Sequence, residues 1–175
     1  MKFTEQKIPG VFLIEMEPFT DERGFFARQF CKQELAARGL DFDIKQCNLS
    51  GNRHAGTLRG LHYQKDPYPE IKIVSCLQGR IFDVVVDLRP HSATYLQHLS
   101  TELSAQNGRM LYIPAMCAHG FQTLQDNSLV YYQLGEFFHA DAYDGVRWDD
   151  PKLAISWPAC PKRIINQRDA NYALL

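Results

Sequence analysis

Gly56-Thr57-Leu58-Arg59-Gly60-Leu61-His62-Tyr63-Gln64 reads as a turn running into a β-strand, bracketed by glycines and carrying one arginine and one histidine. Alternate residues of a strand share a face, so Leu58, Gly60, His62 and Gln64 point one way, and Arg59, Leu61 and Tyr63 the other. After a break at Pro67 and Pro69 comes a second strand, Ile71-Lys72-Ile73-Val74-Ser75-Cys76-Leu77, with Lys72 set among apolar neighbours. A histidine and a lysine on adjacent apolar strands make a site in the mouth of a β-barrel. They fit slightly better a satisfied core histidine and a lysine whose stem is buried while its ammonium reaches the rim. The two strands by themselves favour the second reading slightly.

Working outward, residues 11–17 predict a strand ended by Pro18. The polar turn Thr20-Asp21-Glu22-Arg23-Gly24 leads to a second strand over 25–30. Residues 32–38 suit one short helix, stopped by Gly39. Residues 44–49 are extended, and Ser50-Gly51-Asn52 reads as a turn. Beyond Gly79, the run 80–89 alternates informatively. Phe82, Val84, Val86 and Leu88 share one face, whereas Ile81, Asp83, Val85 and Asp87 share the other, which predicts a polar cavity or rim there. Further strands are expected over 97–103, 109–113, 120–124 and 129–134, with Asn107-Gly108 as a hairpin signal. The tail from Trp148, broken by Pro151, Pro158 and Pro161, reads as irregular until a polar–apolar segment near Asp169. Short strands at this spacing with little helix predict an all-β sandwich or barrel.

The chain of 175 residues carries 19 Lys and Arg against 20 Asp and Glu, a formal charge of −1. That balance argues against nucleic acid or a membrane surface as partner and makes any positive site local. Hydrophobic residues make up 45%, enough for one domain spanning 1–175 with a real core. Cys31, Cys47, Cys76, Cys117 and Cys160 are odd in number and widely spaced, which predicts free thiols in a reducing compartment. The N-terminus has no apolar signal core and no run is long enough to span a membrane, so a cytoplasmic protein is expected.

The spacing resembles the two signature motifs of the cupin superfamily. Five residues separate Gly56 from His62, six separate Lys72 from Gly79, and five separate Gly108 from Pro114, with His119 beyond. This implies a double-stranded β-helix, the cupin jelly roll, with short peripheral helices. The ligands of a metal cupin are absent, however. Gln64 stands for the second histidine and Lys72 for the glutamate, and an ammonium has no lone pair to offer a cation. His62 and His119 alone are too few for a catalytic metal, so neither metal nor cofactor is expected.

A cupin frame without its metal but with His, Lys and His resembles the dTDP-4-dehydrorhamnose 3,5-epimerases. The matching stretches include Asp21-Glu22-Arg23-Gly24-Phe25-Phe26, residues 56–64, Tyr112-Ile113-Pro114, Ala118-His119-Gly120-Phe121 and Arg147-Trp148-Asp149-Asp150. The resemblance implies a nucleotide-linked 4-keto-6-deoxyhexose as substrate, epimerised at C3, C5 or both by proton removal beside the C4 ketone and return on the opposite face. By the same resemblance His62 is the base, Asp169 its orienting carboxylate, Lys72 the group facing the enolate and Tyr132 the acid. Arg23, Arg59 and His119 match substrate-holding positions, Gln46 and Asn48 a nucleotide-contacting segment, and Phe138 an aromatic that stacks on the base. Arg23 is carried to the neighbouring subunit in the family, which implies a homodimer. If its strand is regular, Arg59 faces away from His62, so it needs a bulge or a contact across the rim to join that site.

The chain departs from the family pattern at several positions. Arg28 and Tyr143 stand where glutamates are usual, Arg168 replaces a lysine, Gln133 follows Tyr132 in place of a lysine, and Ala115-Met116 replaces Pro-Gly. The proton-transfer groups are present while substrate contacts are altered. That leaves open the nucleotide, the sugar, and whether one or both carbons invert. The rivals are a mono-epimerase on another nucleotide sugar, a sugar-nucleotide-binding cupin without catalysis, and a metal-dependent cupin.

Overall fold

A computed structural model describes residues 1–40 and 42–175, and in it the short strands form two facing antiparallel sheets. The six-stranded sheet runs β1 (Lys2–Glu5), β2 (Phe12–Glu15), β10 (Arg109–Ile113), β7 (Lys72–Gln78), β12 (Ser128–Leu134), β5 (Gln46–Asn52). The five-stranded sheet runs β13 (Tyr143–Gly145), β6 (Leu58–Gln64), β11 (Cys117–Thr123), β8 (Arg80–Asp87), β9 (His98–Ser104). From β5 to β8, and again from β9 to β13, each strand lies in the sheet opposite its predecessor. This is the double-stranded β-helix expected from the motif spacing. It also corrects one expectation: His62 and Lys72 are not on adjacent strands but on facing sheets, because β6 and β7 do not pair.

The space between the sheets is filled by Val74, Ile81, Val85, Leu103, Leu111, Phe121 and Val130. The outer faces are covered as well. On the six-stranded sheet, Ile14, Ile73, Met110 and Tyr112 lie under Leu35 of α1 (Lys32–Ala36) and under Leu40 and Phe42. On the other, Leu61, Val84, Val86 and Ala118 lie under Val146 and under Leu153 and Trp157 of the tail. Both faces of β8 are therefore covered, which is why apolar residues appear on both of them, with Asp83 and Asp87 as the buried exceptions. Each fully buried aliphatic or aromatic side chain contributes about 1.5–3 kcal/mol.

The face of β8 that carries Asp83 and Asp87 does look inward, and both carboxylates are fully buried. Burial pushes the Asp87 carboxyl up, yet bonds from Arg89, Ser92 and Thr94 outweigh it and hold the group well below the usual range. Asp87 thereby ties down the loop after β8. Asp83 instead holds His119, a residue of the cavity described below.

Several local expectations fail for identifiable reasons. Ser50-Gly51-Asn52 is the end of β5, since pairing with β12 over its whole length overrides turn propensity. Asn107-Gly108 makes a corner between sheets, not a hairpin: β9 pairs with β8, and β10 with β2 and β7. The expected strand over 25–30 shortens to β4 (Gly24–Phe26), paired with β3 (Phe19–Asp21) in a separate exposed hairpin. The segment near Asp169 is a short helix, α2 (Gln167–Ala170). All five cysteines are free, and burial pushes the Cys76 and Cys117 thiols up to about 11 and about 12. Among the described residues no helix is long and apolar enough to cross a membrane.

Candidate active site

The site begins with an irregularity in β6. His62 pairs with His119 of β11, but Arg59 pairs with Phe121, so three steps along β6 match two along β11. The extra residue reverses the alternation and puts Arg59 and His62 on the wall of one cavity. Gly60 makes this possible. Its φ is +110°, and a Cβ there would lie 2.6 Å from Gly120 Cα and 2.7 Å from the His119 carbonyl oxygen.

The cavity has a volume of about 450 Å³ and draws its lining from both sheets and from α2. His62 Nε2 lies 2.8 Å from Asp169 Oδ1. Asp169 Oδ2 accepts the Gly60 amide at 3.1 Å, and Asn166, the N-cap of α2, accepts the Asp169 amide at 2.7 Å. The helix is short, but its cap fixes where the carboxylate points. Burial lowers the pKa of His62 below 6.5, and neighbouring Lys72 and Arg168 lower it further, against the opposing pull of Asp169. Asp169 itself stays below the usual carboxylate range despite burial, because of His62, Gly60 and Arg168. The pair is therefore a neutral imidazole beside a carboxylate. With Nε2–H donating to Asp169, the lone pair is left on Nδ1.

Facing this pair is the six-stranded sheet. Lys72 is buried, with Nζ 2.7 Å from Glu70 Oε1 and donating to the His62 carbonyl oxygen at 3.0 Å. Two of its three N–H donors are thus engaged and one remains. Tyr132 of β12 lines the same cavity, its ring edge-on to His119 at 6.0 Å. Burial pushes its phenol far above the ordinary tyrosine value, so it is a neutral donor at any physiological pH. His119 is held by fully buried Asp83, with Nε2 to Oδ2 at 2.8 Å.

Toward the mouth, Asn48, Phe138, Tyr143 and Arg168 complete the wall. Arg59 Nε donates to Asn52 Oδ1 at 2.8 Å, which aims its guanidinium. Tyr143 and Arg168, two of the departures from the family pattern, touch each other. The guanidinium carbon sits 4.8 Å over the phenol ring, whose centroid is 5.2 Å from that of His62. A cation–π contact thus occupies the place of an acid and an amine.

Three residues expected in the site lie outside this cavity. Arg23 is at the exposed tip of the β3–β4 hairpin, bound to Asp21. Arg28 pairs with Glu34 of α1 at 2.9 Å on the surface, an available partner that draws it away from the cavity. Gln46 accepts the Phe138 amide at 2.6 Å and so supports the wall without lining it. The sequence reading missed Glu70 and Asn166. Glu70 had a signal, because residues two apart in extended chain share a face and Lys72 is two further on; Asn166 had one as a cap residue three before Asp169.

The family profile described as dTDP-4-dehydrorhamnose 3,5-epimerase matches residues 5–175. A dTDP-4-dehydrorhamnose 3,5-epimerase from Methanothermobacter thermautotrophicus is 39% identical over 173 residues, covering 98% of this chain and 92% of that one. The solved dTDP-4-dehydrorhamnose 3,5-epimerase from Bacillus anthracis, with TDP and PPi bound, superposes with a TM-score of 0.96 at 40% identity and covers 99% of both chains. The dTDP-6-deoxy-D-glucose-3,5-epimerase from Legionella pneumophila, in complex with dTDP-4-keto-L-rhamnose, gives 0.94 at 34% identity, covering 99% of this chain and 92% of that one. Agreement of this extent, in sequence and in backbone, has one reading: the chain belongs to the dTDP-4-dehydrorhamnose 3,5-epimerase family.

Proposed function

We propose that this epimerase inverts C3 and C5 of a dTDP-linked 4-keto-6-deoxyhexose with His62 as base, Lys72 as enolate-stabilising cation and Tyr132 as acid. The observation that carries it is the placement of an imidazole and a phenol on opposed sheets around one cavity, where burial disfavours the charged form of each. His62 takes the proton from the carbon beside the ketone, and the C–H electron pair moves into the ring as the C4 oxygen gains negative charge. The free N–H of Lys72 meets that charge, a contribution on the order of 3 kcal/mol in a dry site. Tyr132 then gives its proton to the other face, and the enolate electrons form the new C–H bond. General acid–base steps of this kind typically supply about 10²–10⁴-fold each.

Arg59, His119, Asn48 and Arg168 hold the nucleotide sugar, and Phe138 and Tyr143 offer aromatic faces to its rings. The nucleotide is assigned from the bound TDP and dTDP-sugar of the Bacillus and Legionella relatives. Residues 1–175 act as one catalytic unit. Five free thiols agree with a cytoplasmic enzyme.

The working form in this proposal is a homodimer. Phe19, Phe25 and Phe26 are 81%, 68% and 78% exposed on a hairpin of only two strands, which is marginal alone in water. A second copy covers these rings and receives Arg23 at its own cavity.

The test is proton exchange in heavy water, followed by NMR on the 4-keto sugar. Wild type gains deuterium at C3 and C5. His62→Ala abolishes exchange at both, whereas Tyr132→Phe slows product formation more than it slows proton abstraction. Exchange at the wild-type rate in His62→Ala removes it as base, and label at one carbon alone makes the enzyme a mono-epimerase.

A further inference from the structure

We infer that Gln64, a buried residue that lines no part of the cavity, is a positioning residue for nucleotide binding and acts by fixing the peptide groups on either side of Phe138. The inference rests on the reading of Phe138 as the platform for the base. Gln64 is 1% exposed, at the last position of β6. Its Nε2 donates to the Phe137 carbonyl oxygen at 3.1 Å and to the Tyr68 carbonyl oxygen at 3.0 Å, and its Oε1 accepts the His139 amide at 2.7 Å.

One side chain thus joins two loops, 65–71 and 135–142, that form one side of the mouth. Each loop brings one residue to the cavity, Glu70 and Phe138. The seam continues in the Tyr68 and His139 rings, stacked at 3.6 Å and 10°, and in the Gly135 amide donating to the Ile71 carbonyl oxygen at 2.9 Å. Between the two groups that Gln64 holds, the Phe138 amide donates to Gln46. Three consecutive residues are therefore fixed by two glutamines, while the Phe138 ring stays 58% exposed. The ring is free to meet a ligand, while its backbone is held on both sides and so has less freedom to lose on binding. Two carbonyl oxygens and one amide N–H require a partner that donates twice and accepts once. A primary amide does so; a carboxylate has no donor and an imidazole cannot reach three groups in this arrangement of roles. The position that would carry a metal-ligating histidine in the cupin frame is used here to brace the mouth.

The experiment measures TDP affinity, and KM and kcat with the 4-keto sugar nucleotide, for wild type, Gln64→Glu, Phe138→Ala and the double variant, with thermal melts of each. Gln64→Glu keeps the shape and the bond from His139 but loses both donors, so it serves where Gln64→Ala fails to fold. Expected are a TDP Kd and a KM raised about tenfold in Gln64→Glu, a smaller change in kcat, and no further loss of TDP affinity when Gln64→Glu is added to Phe138→Ala. Unchanged TDP affinity in Gln64→Glu, additive losses in the double variant, or a fall in kcat as large as the rise in KM would overturn the inference. Unchanged affinity in Phe138→Ala would instead overturn the reading of Phe138 on which it rests.

Discussion

His62 stays unprotonated at neutral pH because burial, helped by Lys72 and Arg168, outweighs the attraction of Asp169 for a second ring proton. In the proposed reaction His62 is therefore ready to act as base without a prior proton loss, and the acid limb of kcat/KM is expected below 6.5, the ordinary histidine value. The same shift bears on stability. The unfolded chain takes up a proton near pH 6.5 that folded His62 refuses, so its contribution is intact above that pH and is lost as pH falls toward the folded value. Asp169→Asn removes the group that raises the imidazole pKa and fixes its tautomer. It should move the acid limb lower still and cut kcat by roughly 10²–10⁴-fold, read from a pH–rate profile. Lys72 raises a different question of balance, since it and Glu70 are buried together. Lys72→Met leaves Glu70 without its cation and should cost about 3 kcal/mol in a denaturant melt as well as 10²–10³-fold in kcat. Adding Glu70→Leu should return most of the stability and none of the activity.

Among the elements, β6 matters most, and its function depends on being irregular. In a regular strand Arg59 would lie on the far face; the bulge at Gly60 turns it into the cavity beside His62. Gly60→Ala places a methyl group against Gly120 and the His119 carbonyl oxygen and forces a residue with a side chain to φ +110°. The expected cost is on the order of 2 kcal/mol, with a raised KM as Arg59 shifts, measured by thermal melts and steady-state kinetics. The strand and its histidine were legible in the alternation of residues 56–64; that Arg59 needed a bulge or a contact across the rim followed only once the family resemblance placed it in the site. Where the bulge falls was not legible, because register is settled by the partner strand, and β11 is about 60 residues away in sequence. The same non-local pairing undid the turn expected at Ser50-Gly51-Asn52 and the hairpin expected at Asn107-Gly108, where local propensity is the weaker force.

For the whole molecule, the hairpin bearing Arg23 and three exposed phenylalanines is the feature a lone chain does not explain. If each subunit lends Arg23 to the other, Arg23→Ala and His62→Ala subunits should each be nearly inactive and should complement when unfolded and refolded together. Random pairing makes half the dimers mixed, each with one intact site, so about a quarter of wild-type activity returns. Failure to recover activity while light scattering shows mixed dimers would remove Arg23 from the partner's site.

From the sequence came what local pattern can hold: the all-β class through period-two alternation, and short motifs whose resemblance to a known family implied the jelly roll and the residues proposed for proton transfer. Those follow from backbone geometry and side-chain chemistry, both written in short stretches. Only the tertiary structure could decide that His62 and Lys72 face each other across two sheets, that Glu70 neutralises Lys72, and that Tyr143 meets Arg168 while Arg28 turns away to Glu34. Such pairings join segments distant in the chain. They are fixed by how sheets stack, strands register and charges find partners once water has been excluded.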